Sequence, residues 1–146
     1  LEQLLKRFHV VARLLTKRYK NRQPIIMNDE YDVQDLLHAL LRTVFEDVRP
    51  EEYTPSYAGN SSRVDFLLKS ENIVVEAKYA KSNLRDKKVT DQLIIDIKRY
   101  QTHPNCKHLT CFVYDPESWI ENPIALESDL SRRHDKITVD VFVVPH

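Results

Sequence analysis

The stretch Arg63-Val64-Asp65-Phe66-Leu67-Leu68, Lys69-Ser70-Glu71-Asn72, Ile73-Val74-Val75-Glu76-Ala77-Lys78 constrains the fold more than any other part of the chain. Two short runs rich in β-branched and aromatic residues flank a polar break, the pattern of a β-hairpin. Facing residue numbers in an antiparallel pair have a constant sum. With Leu68 opposite Ile73, Phe66 therefore faces Val75 and Asp65 faces Glu76. Alternation gathers Val64, Phe66, Leu68, Ile73, Val75 and Ala77 on one apolar face and Asp65, Leu67, Val74, Glu76 and Lys78 on the other. A slip by one residue scatters both sets, so the clean apolar face selects this register. Two carboxylates then sit side by side, roughly 4.5–5.5 Å apart at Cβ, with a lysine just beyond them.

Like charges facing each other on neighbouring strands are destabilising unless something sits between them. A divalent cation resolves such a pair, and one or two carboxylates completed by waters and a phosphate suit Mg²⁺. The alternative is a solvated strand end on which Asp65, Glu76 and Lys78 are ordinary surface charges. The aspartate opposite in register and the apolar reverse face weigh against it.

Gly59 is the only glycine, which rules out a P-loop or a G-x-G-x-x-G dinucleotide site. Nucleotide-triphosphate hydrolysis and nicotinamide redox chemistry are therefore poor candidates. No apolar run approaches the roughly 18 residues that span a bilayer and no signal peptide is visible, so no membrane partner is expected. Cys106 and Cys111 form no C-x-x-C pair and read as reduced cysteines of a cytoplasmic protein. The length of 146 residues suits one domain with one substantial core. The chain opens at Leu1 inside a helical pattern, without an initiator methionine, which reads as a piece of a longer protein with a further domain.

Leu1, Leu4, Leu5, Phe8, Ala12, Leu15 and Tyr19 recur at helical spacing, so residues 1 to about 20 are expected to form an amphipathic helix. Net charge is zero, but residues 1–24 carry Lys6, Arg7, Arg13, Lys17, Arg18, Lys20 and Arg22 against Glu2 alone. That basic face fits a phosphate backbone, a solvated surface or an upstream domain. After Pro24, Asn28-Asp29-Glu30 opens a second helix with an inward stripe of Val33, Leu36, Leu37, Leu40, Leu41 and Val44. Glu30 lies at the edge of that stripe, where a carboxylate either favours the positive helix end or points at the active site.

Arg49 to Tyr57 reads as a loop leading into an edge strand, and Ala58-Gly59-Asn60-Ser61-Ser62 as a turn whose free N–H groups fit a phosphate or nothing at all. Lys81, Arg85, Lys87 and Lys88 form a basic loop beyond the acids, suited to a nucleic-acid phosphate or simply solvated. Residues 88–101 are expected to be helical, with Val89, Leu93, Ile97 and Tyr100 inward and Gln92, Asp96 and Tyr100 along one line. A strand at 109–114, a helix from Asn122-Pro123 to about Arg132 and a strand at 137–144 complete the pattern. No histidine falls in a metal-ligand pair. The expected class is α/β with a mixed sheet.

Asp65 followed by Glu76-Ala77-Lys78 resembles the D…(D/E)-x-K signature of the PD-(D/E)XK nuclease superfamily. Three longer blocks, Asp29 to Leu37, Ala58 to Leu68 and Gln92 to Ile97, resemble its DpnII/MboI-type branch of restriction endonucleases and defence-associated nuclease domains. Ser62-Arg63 stands where the superfamily signature has a proline before the aspartate. The resemblance covers about residues 25–145. It implies a restriction-endonuclease-like α-β-β-β-α-β core, with a mixed central sheet flanked by helices, in residues 25–146. Residues 1–24 become an added N-terminal helix, and the last helix and strand an addition at the other end.

The resemblance further implies an Mg²⁺-dependent endonuclease, with Mn²⁺ as a possible substitute, hydrolysing DNA in preference to RNA and leaving a 5′-phosphate. Asp65 and Glu76 would hold the metal, with the Ala77 carbonyl as a third ligand. Lys78 would orient or deprotonate water or stabilise the phosphorane, and Glu30 would be a further acid at the metal side. Arg63, Lys81, Arg85, Lys87 and Gln92 are the candidate nucleic-acid contacts, although Gln92 equally suits a hydrogen bond on the helix surface. A homodimer is compatible with the pattern. The rival reading is a binding module that keeps the fold without catalysis, against which the intact Asp65, Glu76 and Lys78 speak.

Overall fold

The computed structural model describes residues 1–53 and 63–146. In chain order the elements are α1 (Glu2–Thr16), a 3-10 turn (Tyr19–Asn21), α2 (Glu30–Arg42), β1 (Val48–Pro50), β2 (Phe66–Leu68) and β3 (Ile73–Tyr79). They continue with α3 (Asp86–Tyr100), β4 (His108–Tyr114), α4 (Pro123–Leu130), β5 (Arg133–His134) and β6 (Ile137–Val144). The strands form one mixed sheet in the order β1-β2-β3-β4-β6-β5. The β1–β2, β2–β3 and β5–β6 pairs are antiparallel, and the central β3–β4 and β4–β6 pairs are parallel. Parallel neighbours need crossovers, supplied here by α3 and α4; β3 and β4 are buried on both faces after their first residues, whereas β6 leaves Thr138 exposed.

The hairpin register is the one the alternation requires: Phe66 opposes Val75, Leu67 opposes Val74 and Leu68 opposes Ile73. Asn72 closes the turn in the left-handed region at φ 56°, a conformation asparagine tolerates better than most residues. Its carbonyl also accepts from the Lys107 N–H at 2.9 Å, which ties the hairpin to the entry of β4.

Helices cover both faces of the sheet. On one, Leu5, Phe8 and Ala12 of α1 and Val33, Leu37 and Leu41 of α2 pack on Phe66, Leu68, Val75, Ala77 and Phe112. Phe8 lies edge-on to Phe112 and Tyr114, with ring centroids 4.9 and 5.0 Å away. On the other face, Val89, Leu93, Ile97 and Tyr100 of α3 pack on Leu67, Val74, Leu109 and Val139. Side chains of this size each gain roughly 1.5–3 kcal/mol from burial, so α1 contributes to the same core as α2.

Several expectations are corrected. Val64 belongs with Leu67 and Val74, not with Phe66, because the chain bends at Asp65 and the alternation stops there. The solvated strand end considered for Asp65, Glu76 and Lys78 is not what forms: α3 packs on that face, burying Glu76 and Lys78 and leaving Asp65 half-buried. The first helix ends at Thr16, leaving Tyr19 exposed beside Lys20 and Asn21, both at positive φ. The second ends at Arg42, so Val44 is exposed. The edge strand is Val48–Pro50 itself rather than a strand after a loop from Arg49. The turn read at Ala58 to Ser62 lies outside the described residues.

The helix starts behave as their residues dictate. The Asp29 side chain accepts from the Asp32 N–H at 3.0 Å, and Asn122 accepts from the Ala125 N–H with Pro123 at the first helical position. Both cysteines are buried and free.

Candidate active site

β3 carries the chemistry because its alternation divides it between the two layers. Val75 and Ala77 point into the α1/α2 side, and Val74 points towards α3. Glu76 and Lys78 share the parity of Val74, and both are buried, 6% and 8% exposed. Acidic and ammonium groups are almost never buried to this extent unless paired. Their partners are specific. The Lys78 ammonium donates to Glu76 Oε1 at 2.6 Å and pairs with Asp96 Oδ2 at 3.2 Å. The Tyr100 hydroxyl donates to Glu76 Oε2 at 2.5 Å, and Arg99 Nη1 donates to Asp96 Oδ1 at 2.9 Å.

Asp65 sits at the bend just before β2, half-buried, and its Oδ2 accepts from the Ala77 N–H at 2.7 Å. This side-chain bond stands where the ladder has stopped: Asp65 and Glu76 are not a paired rung, but Asp65 is fastened to the residue after Glu76. Burial pushes the Asp65 carboxyl up to about 8, with the Glu76 charge adding to the rise and the Ala77 N–H and Lys78 opposing it. Asp96 is pushed up to about 6 by burial and by Glu76, against Lys78 and Arg99. Burial acts to lower the Lys78 pKa, but Glu76 and Asp96 outweigh it, so the amine is held charged.

Glu30, the first residue of α2, is drawn into the same field. Burial raises its pKa, Lys78 opposes the rise and Glu76 reinforces it, while the Tyr79 backbone amide and Lys81 lower it. The helix cap belongs to Asp29, which leaves the Glu30 carboxyl available to the site.

The remaining candidates lie further out. Lys81, Arg85, Lys87 and Gln92 are exposed. Lys81 forms an isolated bridge with Leu84, Arg85 precedes α3, and Lys87 lines a cleft with Asp86, Thr90, Glu121 and Asn122. Arg63 is exposed too. It donates to Glu51 Oε2 at 3.0 Å and to the Tyr53 hydroxyl at 2.8 Å, with its guanidinium over the Tyr53 ring.

Asp96 and Tyr100 are the partners of Glu76 and Lys78 that sequence reasoning did not single out. Their alignment with Gln92 was visible, but Gln92 was the residue singled out, and it faces solvent. The available signal was an aspartate directly beside Ile97 on the stripe that buries α3, one turn before an inward tyrosine.

The donor set can be tested against a divalent metal. Among the described residues no group of three or more His, Cys, Asp or Glu side chains converges as a metal site. What the structure offers is a pair of carboxylates, Asp65 and Glu76, with burial first and the Glu76 charge second lifting the Asp65 pKa. All-oxygen donors fit Mg²⁺ and do not fit the nitrogen and sulfur preferences of structural zinc.

Comparison with protein-family models matches residues 1–146 to the family described as REase_DpnII-MboI. No curated protein and no solved structure matches the chain.

Proposed function

Because the chain belongs to the DpnII-MboI restriction-endonuclease family, a PD-(D/E)XK-type family of DNA nucleases, we propose that it is an Mg²⁺-dependent endonuclease hydrolysing phosphodiester bonds in DNA. The observation that carries this reading is the buried cluster itself. Asp65, Glu76 and Lys78 meet at the bend before β2 and in the second half of β3, with Asp96 and Tyr100 behind them. Burying this many ionisable groups costs stability, and such a cost is commonly retained for chemistry.

Asp65 and Glu76 would hold the metal. Mn²⁺, which accepts the same oxygen donors, would substitute. When bound, the ion supplies charge neutralisation at the scissile phosphate and lowers the pKa of water. The protein's own groups do the rest. The Ala77 N–H fixes the Asp65 carboxylate, and the Tyr100 hydroxyl fixes that of Glu76. Lys78 is held protonated by two carboxylates, which supports a role as a charged donor to the phosphoryl oxygens rather than as a base. Glu30 would orient water from the end of α2. Arg63, Lys81, Arg85, Lys87 and Gln92 would supply contacts to the DNA backbone outside the buried cluster.

Lys78→Met separates catalysis from mere binding. It should lower single-turnover cleavage by about two orders of magnitude or more, the scale for losing a charge-stabilising group. DNA affinity measured with Ca²⁺ should change by one phosphate contact at most. Since the variant leaves buried carboxylates without their ammonium, its thermal transition is first checked in Ca²⁺. A folded variant with equal losses in affinity and rate would make Lys78 a binding residue, and full activity would remove it from the site.

A further inference from the structure

The pairings within the buried cluster are unequal. Glu76 has both oxygens engaged, Oε1 by the Lys78 ammonium and Oε2 by the Tyr100 hydroxyl. Lys78 has a second carboxylate within reach, Asp96 Oδ2 at 3.2 Å. Asp96 in turn is anchored on its other oxygen by Arg99, which is itself partly exposed. Lys78 is therefore shared between two carboxylates, and the second lies on α3 rather than on the hairpin.

For Glu76 to turn Oε1 towards a divalent ion, the ammonium now on that oxygen must give way, because two cations on one carboxylate oxygen repel each other. Tyr100 is buried, and moving its hydroxyl would leave a polar group without a partner. Lys78 can move at less cost, since Asp96 is already close to it. We propose that Asp96 is a positioning residue for Lys78: it takes over the ammonium when Glu76 accepts a divalent cation, and so sets how tightly the site holds metal. This rests on the reading of Asp65 and Glu76 as metal ligands. Without Asp96 the ammonium would keep Glu76 as the carboxylate it is paired with and compete with the metal for it.

The test is Mn²⁺ binding to the full chain without DNA, followed by calorimetry and by the electron paramagnetic signal of free Mn²⁺. Asp96→Asn should bind about tenfold more weakly than wild type, and Lys78→Met more tightly. In the Lys78→Met background, Asp96→Asn should change the affinity by no more than about twofold, because its effect acts through the missing ammonium. Unchanged binding in Asp96→Asn alone overturns the proposal. So does an equal loss in both backgrounds, which would make Asp96 a plain negative charge. Glu76→Gln is the separate control: wild-type binding there would sink the metal-ligand reading, and the proposal with it. If Asp96→Asn does not fold, wild-type protein with ¹⁵N-labelled lysine answers the same question under Mg²⁺. The Lys78 Nζ resonance should move as metal saturates the site. With glutamate ¹³C-labelled as well, a static Lys78 signal alongside a shifting Glu76 carboxylate resonance overturns the proposal.

Discussion

Asp65 binds its proton more tightly in the folded protein than in the unfolded chain, because burial and the Glu76 charge lift its pKa from 3.8 to about 8. Linkage fixes the sign. The contribution favours folding below the unfolded carboxylate range and is lost as pH rises through about 8. In EDTA the melting temperature should therefore fall between about pH 5 and pH 8, and Asp65→Asn should flatten that decline. A wild-type curve that rises over this range would contradict the burial of Asp65. Tyr100→Phe tests the other fastening: leaving Glu76 Oε2 without its donor should cost about 1–3 kcal/mol in urea unfolding, and no cost would mean that water replaces the hydroxyl. The Asp65–Glu76 rung that alternation called for is absent, but the shared face of Glu76 and Lys78 was legible in the sequence because strand alternation is a local rule. Asp96 and Tyr100 were not, because they reach β3 only through the packing of α3, and Tyr100 meets Glu76 across 24 residues of chain.

At the scale of elements, the hairpin was readable down to its register, since any slip would have put Phe66 and Val75 on the wrong face. What the pattern did not contain was the bend at Asp65, which moves Val64 to the opposite layer and replaces a rung of the ladder with the Asp65–Ala77 bond. The length of α1 was overestimated for a similar reason. Tyr19 keeps the helical spacing, but the backbone has already left the helix at Lys17. The part of α1 that remains is anchored by Phe8 between aromatic partners on β4, so Phe8→Ala should cost about 3–5 kcal/mol in chemical denaturation. A loss below 1 kcal/mol would make α1 a loosely attached addition. The segment from Lys81 to Lys88 is exposed and basic, ahead of and within the first turn of α3. If it tracks the DNA backbone, neutralising Lys81, Arg85 or Lys87 should each flatten the slope of log affinity against log salt by about one unit. Unchanged slopes in all three variants would return the segment to a solvated surface.

For the whole molecule, the formal charge of zero conceals a division of labour. Glu76 and Asp96 are buried with Glu30 and Asp65 half-buried beside them, and exposed lysines and arginines lie on α1 and before α3. A cluster of carboxylates that suits a divalent cation, beside basic surface that favours phosphate, suits metal-assisted cleavage of a polyanion. The mixed sheet makes this possible by placing the antiparallel hairpin, which carries the acids, directly against a parallel strand whose crossover helix brings Asp96 and Tyr100. The central claim is that Asp65 and Glu76 together make this fold a metal-dependent DNA nuclease, and plasmid cleavage tests it most directly. Wild-type protein should nick and linearise supercoiled plasmid in Mg²⁺ or Mn²⁺ and not in EDTA, while Asp65→Ala and Glu76→Ala, each with a cooperative thermal transition, should leave the plasmid intact. Cleavage by either folded variant at the wild-type rate, or wild-type cleavage that continues undiminished in EDTA, would contradict it.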